Sequence, residues 1–243
     1  MKASYPSIYV LGGHRLSATY MKHLCQAKRE GLIDFNTLSF IDPADNPFVV
    51  HEIKTGITHI KRTYTEGLAN IFITSEPAEI NNMWLIPDHT APHVLFKLFL
   101  DWLFVMQHRV EILPFSQNLD LPFQKTLESG ICAISYATWT CPLECEEPDT
   151  CPGINNSRSW DFGNFLRGQD YKGVDSVHFF GCEQIAYGVC GIPLSVIKNE
   201  FDRLFKDLKE GHIFLVGTHS KCHGILGMGR ITAASFESLN QSL

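Results

Sequence analysis

The stretch SIYVLGGHRLSATYMKHLCQAKREG, residues 7–31, decides the predicted fold. Its first part, SIYVLGG, is a short apolar run that ends in glycines, which is typical of a buried strand. Ser17 is suited to cap a helix over the residues that follow, and Gly31 is suited to end it. TLSFID, residues 37–42, predicts a second strand that ends in an acid. The chain is therefore predicted to open with a β–α–β unit.

Strands and helices alternate along the rest of the chain. Strands are predicted at residues 71–74, 83–87, 110–115, 131–136, 176–180 and 212–218, and helices at residues 91–104 and 193–209. This alternation predicts an α/β fold with a mostly parallel sheet, helices on both faces and a cysteine-rich loop insertion. We expect an α/β unit over residues 1–115 and a cysteine- and histidine-rich half over residues 116–243, packed on the same sheet as one continuous domain.

The composition restricts the class of protein. The 243 residues are 44% apolar and carry a net charge of -6, which argues against a nucleic-acid partner because phosphate binding needs clustered Lys and Arg. The longest apolar stretch, residues 94–106, is interrupted by two charges and is too short to span a bilayer. No signal peptide is evident at the start, so we expect a cytoplasmic protein whose 8 cysteines stay reduced.

Reactive side chains follow nearly every predicted strand. Asp88, His89 and His93 follow one strand, Cys182 follows another, and THSKCHG, residues 218–224, follows the last. Ligands of open α/β sheets bind at the carboxyl ends of the strands. We therefore expect these distant segments to converge on one site.

The segment TWTCPLECEEPDTCPG, residues 138–153, places three cysteines close together. Prolines bend this loop, so Cys141, Cys145 and Cys151 can point at one centre. The fourth ligand is predicted to be Cys222, Cys182 or a histidine. Cys190 is less suited because it precedes an apolar helix, and Cys25 and Cys132 are predicted to be core thiols.

Two kinds of centre fit such a loop. The spacing C-x3-C-x5-C differs from the paired knuckles of structural zinc sites, and the nearby aromatic residues would shield an iron–sulfur cluster. Four acids beside the thiols would instead favour a dication: Glu144, Glu146, Glu147 and Asp149. An iron–sulfur cluster, [4Fe–4S], is the preferred interpretation, and zinc is the alternative.

Histidines accompany the thiols. His219 and His223 flank Cys222, and imidazole both binds metals and titrates near neutral pH, so these two are the candidate catalytic residues. His89 and His93 are spaced to face one side of a helical turn, which would also suit a metal, although capping explains them equally well. His178 lies within a predicted strand and is expected to be a core residue.

The segment YVLGGHRLSATYMKHL, followed by FID, resembles the opening of Rossmann-type nucleotide-binding domains, such as those of potassium-uptake regulators and NAD-dependent enzymes. The resemblance covers about residues 7–45 and makes the predicted sheet Rossmann-like. It implies that Gly12, Gly13, Arg15 and Asp42 bind NAD or another nucleotide. The motif departs from G-x-G-x-x-G, because residues 12–17 read GGHRLS.

These observations predict an iron–sulfur protein with a redox, electron-transfer or redox-sensing role. It would act with an electron-transfer or complex partner protein, and as an enzyme it would be an oxidoreductase. One alternative is a zinc-dependent hydrolase or lyase, in which His219, His223 or Asp88 is the acid or base. Another is a non-enzymatic, metal-stabilised subunit of a larger complex.

Overall fold

The computed structural model describes residues 3–53, 55–88, 93–142, 144–206 and 208–234. The helices are α1 (Arg15–Arg29), α2 (Phe48–Glu52), α3 (Tyr64–Thr74), α4 (Pro77–Ile80), α5 (Val94–Val105), α6 (Phe162–Arg167) and α7 (Leu194–Lys206). The strands are β1 (Ala3–Ser4), β2 (Ser7–Leu11), β3 (Ile33–Asp34), β4 (Thr37–Ile41), β5 (Thr58–Ile60), β6 (Met83–Ile86), β7 (His108–Leu113), β8 (Phe123–Thr126), β9 (Cys132–Ser135), β10 (Thr150–Cys151), β11 (Asn156–Ser157), β12 (Ser176–Gly181), β13 (Glu183–Ala186), β14 (Val189–Pro193), β15 (Ile213–His219) and β16 (His223–Ala234).

The strands form two six-stranded sheets. The first has the order β13-β14-β6-β2-β4-β5, and its four strands from the N-terminal half run parallel, with β2 beside both β4 and β6. The second has the order β12-β15-β16-β9-β8, with β7 also paired to β16, and of its pairs only β12–β15 is parallel among the described residues. Two small two-stranded ladders, β1–β3 and β10–β11, complete the described strands.

The predicted mostly parallel, Rossmann-like sheet is therefore wrong. Seven of the twelve strand pairs in the described part of the chain are antiparallel. The opening β–α–β unit is present as β2, α1 and β4, but the later segments do not continue its winding. They return through the β13–β14 hairpin and the β15–β16 pair, which antiparallel strands can do with short turns.

The predicted strand at residues 71–74 is also wrong, because these residues form the last turn of α3. The helix starts at a capping box, in which the Thr63 hydroxyl accepts a hydrogen bond from the Glu66 N–H and the Glu66 carboxylate accepts one from the Thr63 N–H. Capping boxes satisfy two backbone donors at once and so favour the start of a helix. Of the apolar run that resembles a strand, Ile71 is buried in this helix and Phe72 is partly buried, whereas Ile73 is exposed.

The main apolar core lies between the two sheets. It combines buried residues of both sheets with the helices α3, α5 and α7. The helix α7 presents Leu194, Ile197, Phe201 and Leu204 at helical spacing, all fully or almost fully buried. A second cluster joins α1 and α2 to the outer side of the first sheet, and a third joins α6 to the outer side of the second sheet.

One residue, Cys182, connects the two sheets where the chain passes between them. Gly181 still pairs with His219 in the second sheet, and Glu183 already pairs with Gly191 in the first. The C-terminal half thus contributes β13 and β14 to the sheet of the N-terminal half. Within the described ranges, no helix has the length and apolar character needed to cross a bilayer.

Candidate metal centre

A cavity of about 460 Å³ lies where the ends of the two sheets meet. Six of the eight cysteines line it: Cys141, Cys145, Cys151, Cys182, Cys190 and Cys222. His219 and His223 line it as well. Distant segments therefore bring all five thiols proposed from the sequence, and both proposed catalytic histidines, to one space. Cys25 on α1 and Cys132 on β9 pack in the apolar clusters on the outer sides of the sheets.

The buried residue Glu147 fastens the cysteine loop to the β15–β16 turn. Its carboxylate accepts hydrogen bonds from the Ser220 hydroxyl at 2.6 Å and from the Lys221 backbone N–H at 2.9 Å. Arg158 Nη1 donates to the Glu147 carbonyl oxygen at 2.7 Å. The first two contacts hold the loop against the second sheet, and the third joins two parts of the segment between β9 and α6.

The same loop also contacts the first sheet. Gln184 Nε2, on β13, donates to the Cys145 carbonyl oxygen at 3.4 Å. The Tyr187 backbone N–H, in the β13–β14 turn, donates to the Glu146 carboxylate at 2.6 Å. The cysteine loop therefore spans the junction between the sheets and closes one side of the cavity.

Cys141 lies beside His223, whose ring also contacts Ser135. Its Sγ is 3.6 Å from His223 Nε2, and Ser135 Oγ is 2.8 Å from His223 Nδ1. In the tautomer that carries its hydrogen on Nδ1, His223 donates to Ser135 Oγ, while the Ser135 hydroxyl donates to the Ala137 carbonyl oxygen at 2.9 Å. The Nε2 lone pair then faces Cys141 and can accept the proton that the thiol gives up on binding a metal.

Four of the cavity thiols favour the protonated form when no cation is bound: Cys141, Cys182, Cys190 and Cys222. Burial raises the pKa of Cys141, and the charges of Cys145 and Cys151 raise it further. Burial, followed by the charge of Glu147, raises the pKa of Cys222 to about 11 and that of Cys190 to about 12. Such thiols bind a cation by releasing protons, so cation binding at this site is expected to weaken as the pH falls.

Aromatic side chains surround the thiols and direct N–H groups towards them. Tyr136 and Trp160 stack with ring centres 5.3 Å apart. The indole N–H groups of Trp139 and Trp160 are buried and have no hydrogen-bond partner among the described residues. Their proximity lowers the pKa of Cys141 and of Cys222, respectively, against the larger effect of burial. The indoles therefore favour the thiolate form that a metal requires.

His219 presents a lone pair in the buried wall of the cavity. Its Nδ1 lies 3.0 Å from the Ser220 carbonyl oxygen and therefore carries the hydrogen. Its Nε2 is buried and has no hydrogen-bond partner among the described residues. Gly163 leaves room for the ring, since a Cβ there would lie 2.8 Å from His219 Cε1. Burial lowers the pKa of His219, so the neutral ring is available as an acceptor or ligand.

His93 lines the cavity with both ring nitrogens already used. Its Nε2–H donates to the Val216 carbonyl oxygen at 2.9 Å, and its Nδ1 accepts from the Phe96 N–H at 3.3 Å as the cap of α5. These contacts favour the capping interpretation over the metal interpretation. The paired residue His89 lies outside the described residues. His178 is a core residue as the sequence predicts, fully buried and 2.9 Å from the Glu200 carboxylate.

The burial of His93 predicts a pH-dependent stability. Burial lowers its pKa from 6.5 to about 4, so below pH 6.5 the unfolded chain binds a proton that the folded chain resists. The free energy of unfolding should therefore fall as the pH drops from 6.5 towards 4, by roughly 3 kcal/mol from this residue. His93→Gln keeps a donor for Val216 but cannot titrate. Urea unfolding at several pH values should show a shallower fall for the variant, and equal slopes would contradict the assignment.

Of the residues implied by the Rossmann resemblance, Gly12, Gly13 and Arg15 lie where β2 turns into α1, which we call the first turn, and Asp42 follows β4. None of the four lines the cavity. Asp42 accepts a hydrogen bond from the Gly13 N–H at 2.7 Å, and a Cβ on Gly13 would lie 2.4 Å from Pro47 Cβ. Gly12 adopts a φ of 89°, which glycine tolerates. Arg15 lies over the Phe48 ring. Asp42 thus binds the backbone of the turn between β2 and α1, and nucleotide binding there stays a prediction.

Asp88 connects this first turn to the cavity. The carboxylate lines the cavity, with Oδ1 2.8 Å from His14 Nε2, and Tyr64 donates its hydroxyl hydrogen to Oδ2 at 3.0 Å. The end of β6 therefore supplies to the cavity wall a carboxylate that His14 and Tyr64 hold in place.

The thiols surround a space and do not converge on a point. Among the described residues, no group of three or more His, Cys, Asp or Glu side chains is arranged to hold a single metal ion. A single zinc ion would need four ligands within about 2.0–2.3 Å of one point.

Sequence reasoning missed several residues of this site. Cys190 was judged unsuitable, yet it lines the cavity because it lies on β14. The signal was the pair Tyr187-Gly188 between two apolar runs, since both residues adopt positive φ and form a hairpin turn. No sequence signal indicates that Glu147 is the buried acid of the loop, or that Ser135 contacts His223.

Comparisons with known proteins identify the C-terminal part of the chain. A family profile named AF_1314_C, described as the C-terminal domain of an uncharacterized protein, matches residues 95–232. The chain belongs to this family. The matched region contains all six cysteines of the cavity, whereas Asp88 and the first turn lie outside it. No curated protein and no solved structure matched, and no Rossmann or nucleotide-binding family was found.

Proposed function

We propose that the cavity binds a [4Fe–4S] cluster through Cys141, Cys145, Cys151 and Cys222, and that the protein acts in electron transfer or redox sensing. The observation that carries this proposal is the gathering of six free cysteines from three separate segments around one cavity. Iron–sulfur clusters take cysteine thiolates as ligands, and their ligands are separated by the width of the cluster. This suits thiols that surround a space.

Cys222 is the preferred fourth ligand because it lies on the same side as the cysteine loop. Its neighbour in the sequence, His223, contacts Cys141. After burial and the charge of Glu147, the charge of Cys141 also raises the pKa of Cys222, so the two thiols are close. Cys182 is instead grouped with Cys190, whose charge adds to burial in raising its pKa.

The surrounding residues support a redox role. When bound, such a cluster supplies one-electron transfer. The indole N–H groups of Trp139 and Trp160 would hydrogen-bond to ligand sulfurs and raise its reduction potential, whereas the buried acid Glu147 would lower it. His223 can accept the proton displaced from Cys141. A redox role also requires an electron-transfer partner protein, and the free cysteines are consistent with a reducing compartment such as the cytoplasm.

A zinc-dependent hydrolase or lyase is the second candidate. The contact between Cys141 and His223 favours it, because sulfur and imidazole nitrogen are the usual ligands of zinc. In that case His219, with its unpartnered Nε2 among the described residues, would be the acid or base. The third interpretation, a metal-stabilised subunit of a complex, needs only the metal.

Protein purified without oxygen distinguishes these functions. Under the cluster proposal, it should be brown and contain about four iron atoms and about four acid-labile sulfides per chain. The spectrum should bleach on reduction with dithionite, since the expected role is redox. Colourless protein with about one zinc per chain would favour the second candidate. Protein that stays free of metal after anaerobic reconstitution with iron and sulfide, and after separate incubation with zinc, would contradict both.

A further inference from the structure

Two of the six cavity thiols are not needed by the proposed ligand set. Cys182 is the connecting residue between the sheets, and Cys190 lies on β14, where it pairs directly with Gln184. Because Cys182 precedes Gln184 by two residues, it lies on the same face of the hairpin as Cys190 and diagonal to it. Both thiols line the cavity, so this shared face points into it.

The diagonal spacing decides what the pair can bind. Diagonal neighbours on antiparallel strands have Cα atoms about 7–8 Å apart, whereas disulfides need about 4.4–6.8 Å. A direct S–S bond would therefore require the strands to move. An ion between the sulfurs, with metal–sulfur bonds of about 2.3 Å each, spans the larger gap without that movement.

The charged residues that line the cavity favour the binding of a cation. Glu147 and Asp88 both line the cavity, and among the described lining residues Arg158 is the one Arg or Lys. After burial, the charge of Glu147 is the next largest influence that raises the pKa of Cys190. Soft thiolate ligands select soft ions such as Cu(I).

We propose that Cys182 and Cys190 form a dithiol site for a soft, thiophilic metal or metalloid ion, in the same cavity as the proposed cluster but separate from its ligands. Binding replaces two S–H bonds by two sulfur–ion bonds and releases two protons, with no change in oxidation state. The site goes beyond the proposed function, because it uses neither the cluster ligands nor electron transfer.

Phenylarsine oxide is a suitable probe, because its trivalent arsenic condenses with two thiols and releases one water. The full-length protein, treated anaerobically with the probe, alkylated and digested, should yield one arsenic bridge that joins the peptides of Cys182 and Cys190. Cys182→Ser and Cys190→Ser should each lose this bridge. Cys141→Ser, which removes a proposed cluster ligand, and Cys25→Ser should keep it.

The possible outcomes separate this inference from the cluster proposal. A Cys141→Ser variant that lacks iron but keeps the bridge supports the dithiol site whatever the loop binds. The inference is overturned if Cys182 and Cys190 are alkylated freely while arsenic bridges only loop cysteines, or if they are recovered as a disulfide. Because the bridge is mapped on the unaltered protein, the test does not depend on the folding of the variants.

Discussion

Cys222→Ser should remove the iron from anaerobically purified protein, whereas Cys25→Ser should leave the iron content unchanged. Serine has nearly the volume of cysteine but offers no thiolate, so the buried Cys222 position would keep its packing and lose its ligand. Cys25 packs beside the core of the first sheet, away from the cavity. Iron and sulfide analysis, with circular dichroism to verify folding, measures the difference.

The same experiment tests the choice of the fourth ligand. Cys182→Ser should retain most of the iron if Cys222 is the ligand. Loss of iron in Cys182→Ser and retention in Cys222→Ser would reverse the assignment. Loss of iron in the Cys25→Ser control would contradict the separation of core thiols from cavity thiols.

Glu147→Ala should lower the affinity for the metal centre by about 10–100-fold without removing any ligand. The variant loses both acceptors that hold Ser220 and the Lys221 N–H, so the cysteine loop is no longer fastened to the turn that carries Cys222. Competition with an iron chelator measures the retention of the metal.

Glu144→Ala is the matched control, because Glu144 is an exposed acid of the same loop. It changes the net charge by the same amount and removes no fastening contact among the described residues. Equal metal loss in both variants would show that charge, and not the fastening of the loop, determines retention. Glu147→Gln keeps an acceptor for Ser220, so its retention of the metal should lie between that of Glu147→Ala and that of Glu144→Ala.

Helices and strands were predictable from the sequence where the signal for the element lies within its own residues. The strand β2, the helix α1 and the helix α7 follow from apolar periodicity and helix-ending signals in the sequence. The strand β16 was not predicted, because its glycines resemble a series of turns. In the structure these glycines leave room for rings: a Cβ on Gly227 would lie 2.5 Å from Phe96, and one on Gly229 would lie 2.6 Å from Phe214. That reason is tertiary and cannot be read from β16 alone.

The site was predictable to a similar degree. The spacing of the three loop cysteines and the segment around Cys222 identify thiols suited to a metal, because their types and clustering are local features. The prediction of the sheet topology was wrong, because short hairpin turns such as Tyr187-Gly188 decide between parallel and antiparallel pairing. Cys190 enters the cavity through such a turn.

The single-residue passage at Cys182 has a consequence for biosynthesis. Neither sheet alone forms the cavity, so the pocket cannot exist until both sheets have docked. During translation, Cys141 emerges long before Cys222, and the complete set of thiols becomes available only once the chain has been made through β15 and its following turn. Under the cluster proposal, the cluster would therefore be inserted after β15 and its following turn have been made, and not onto the nascent loop.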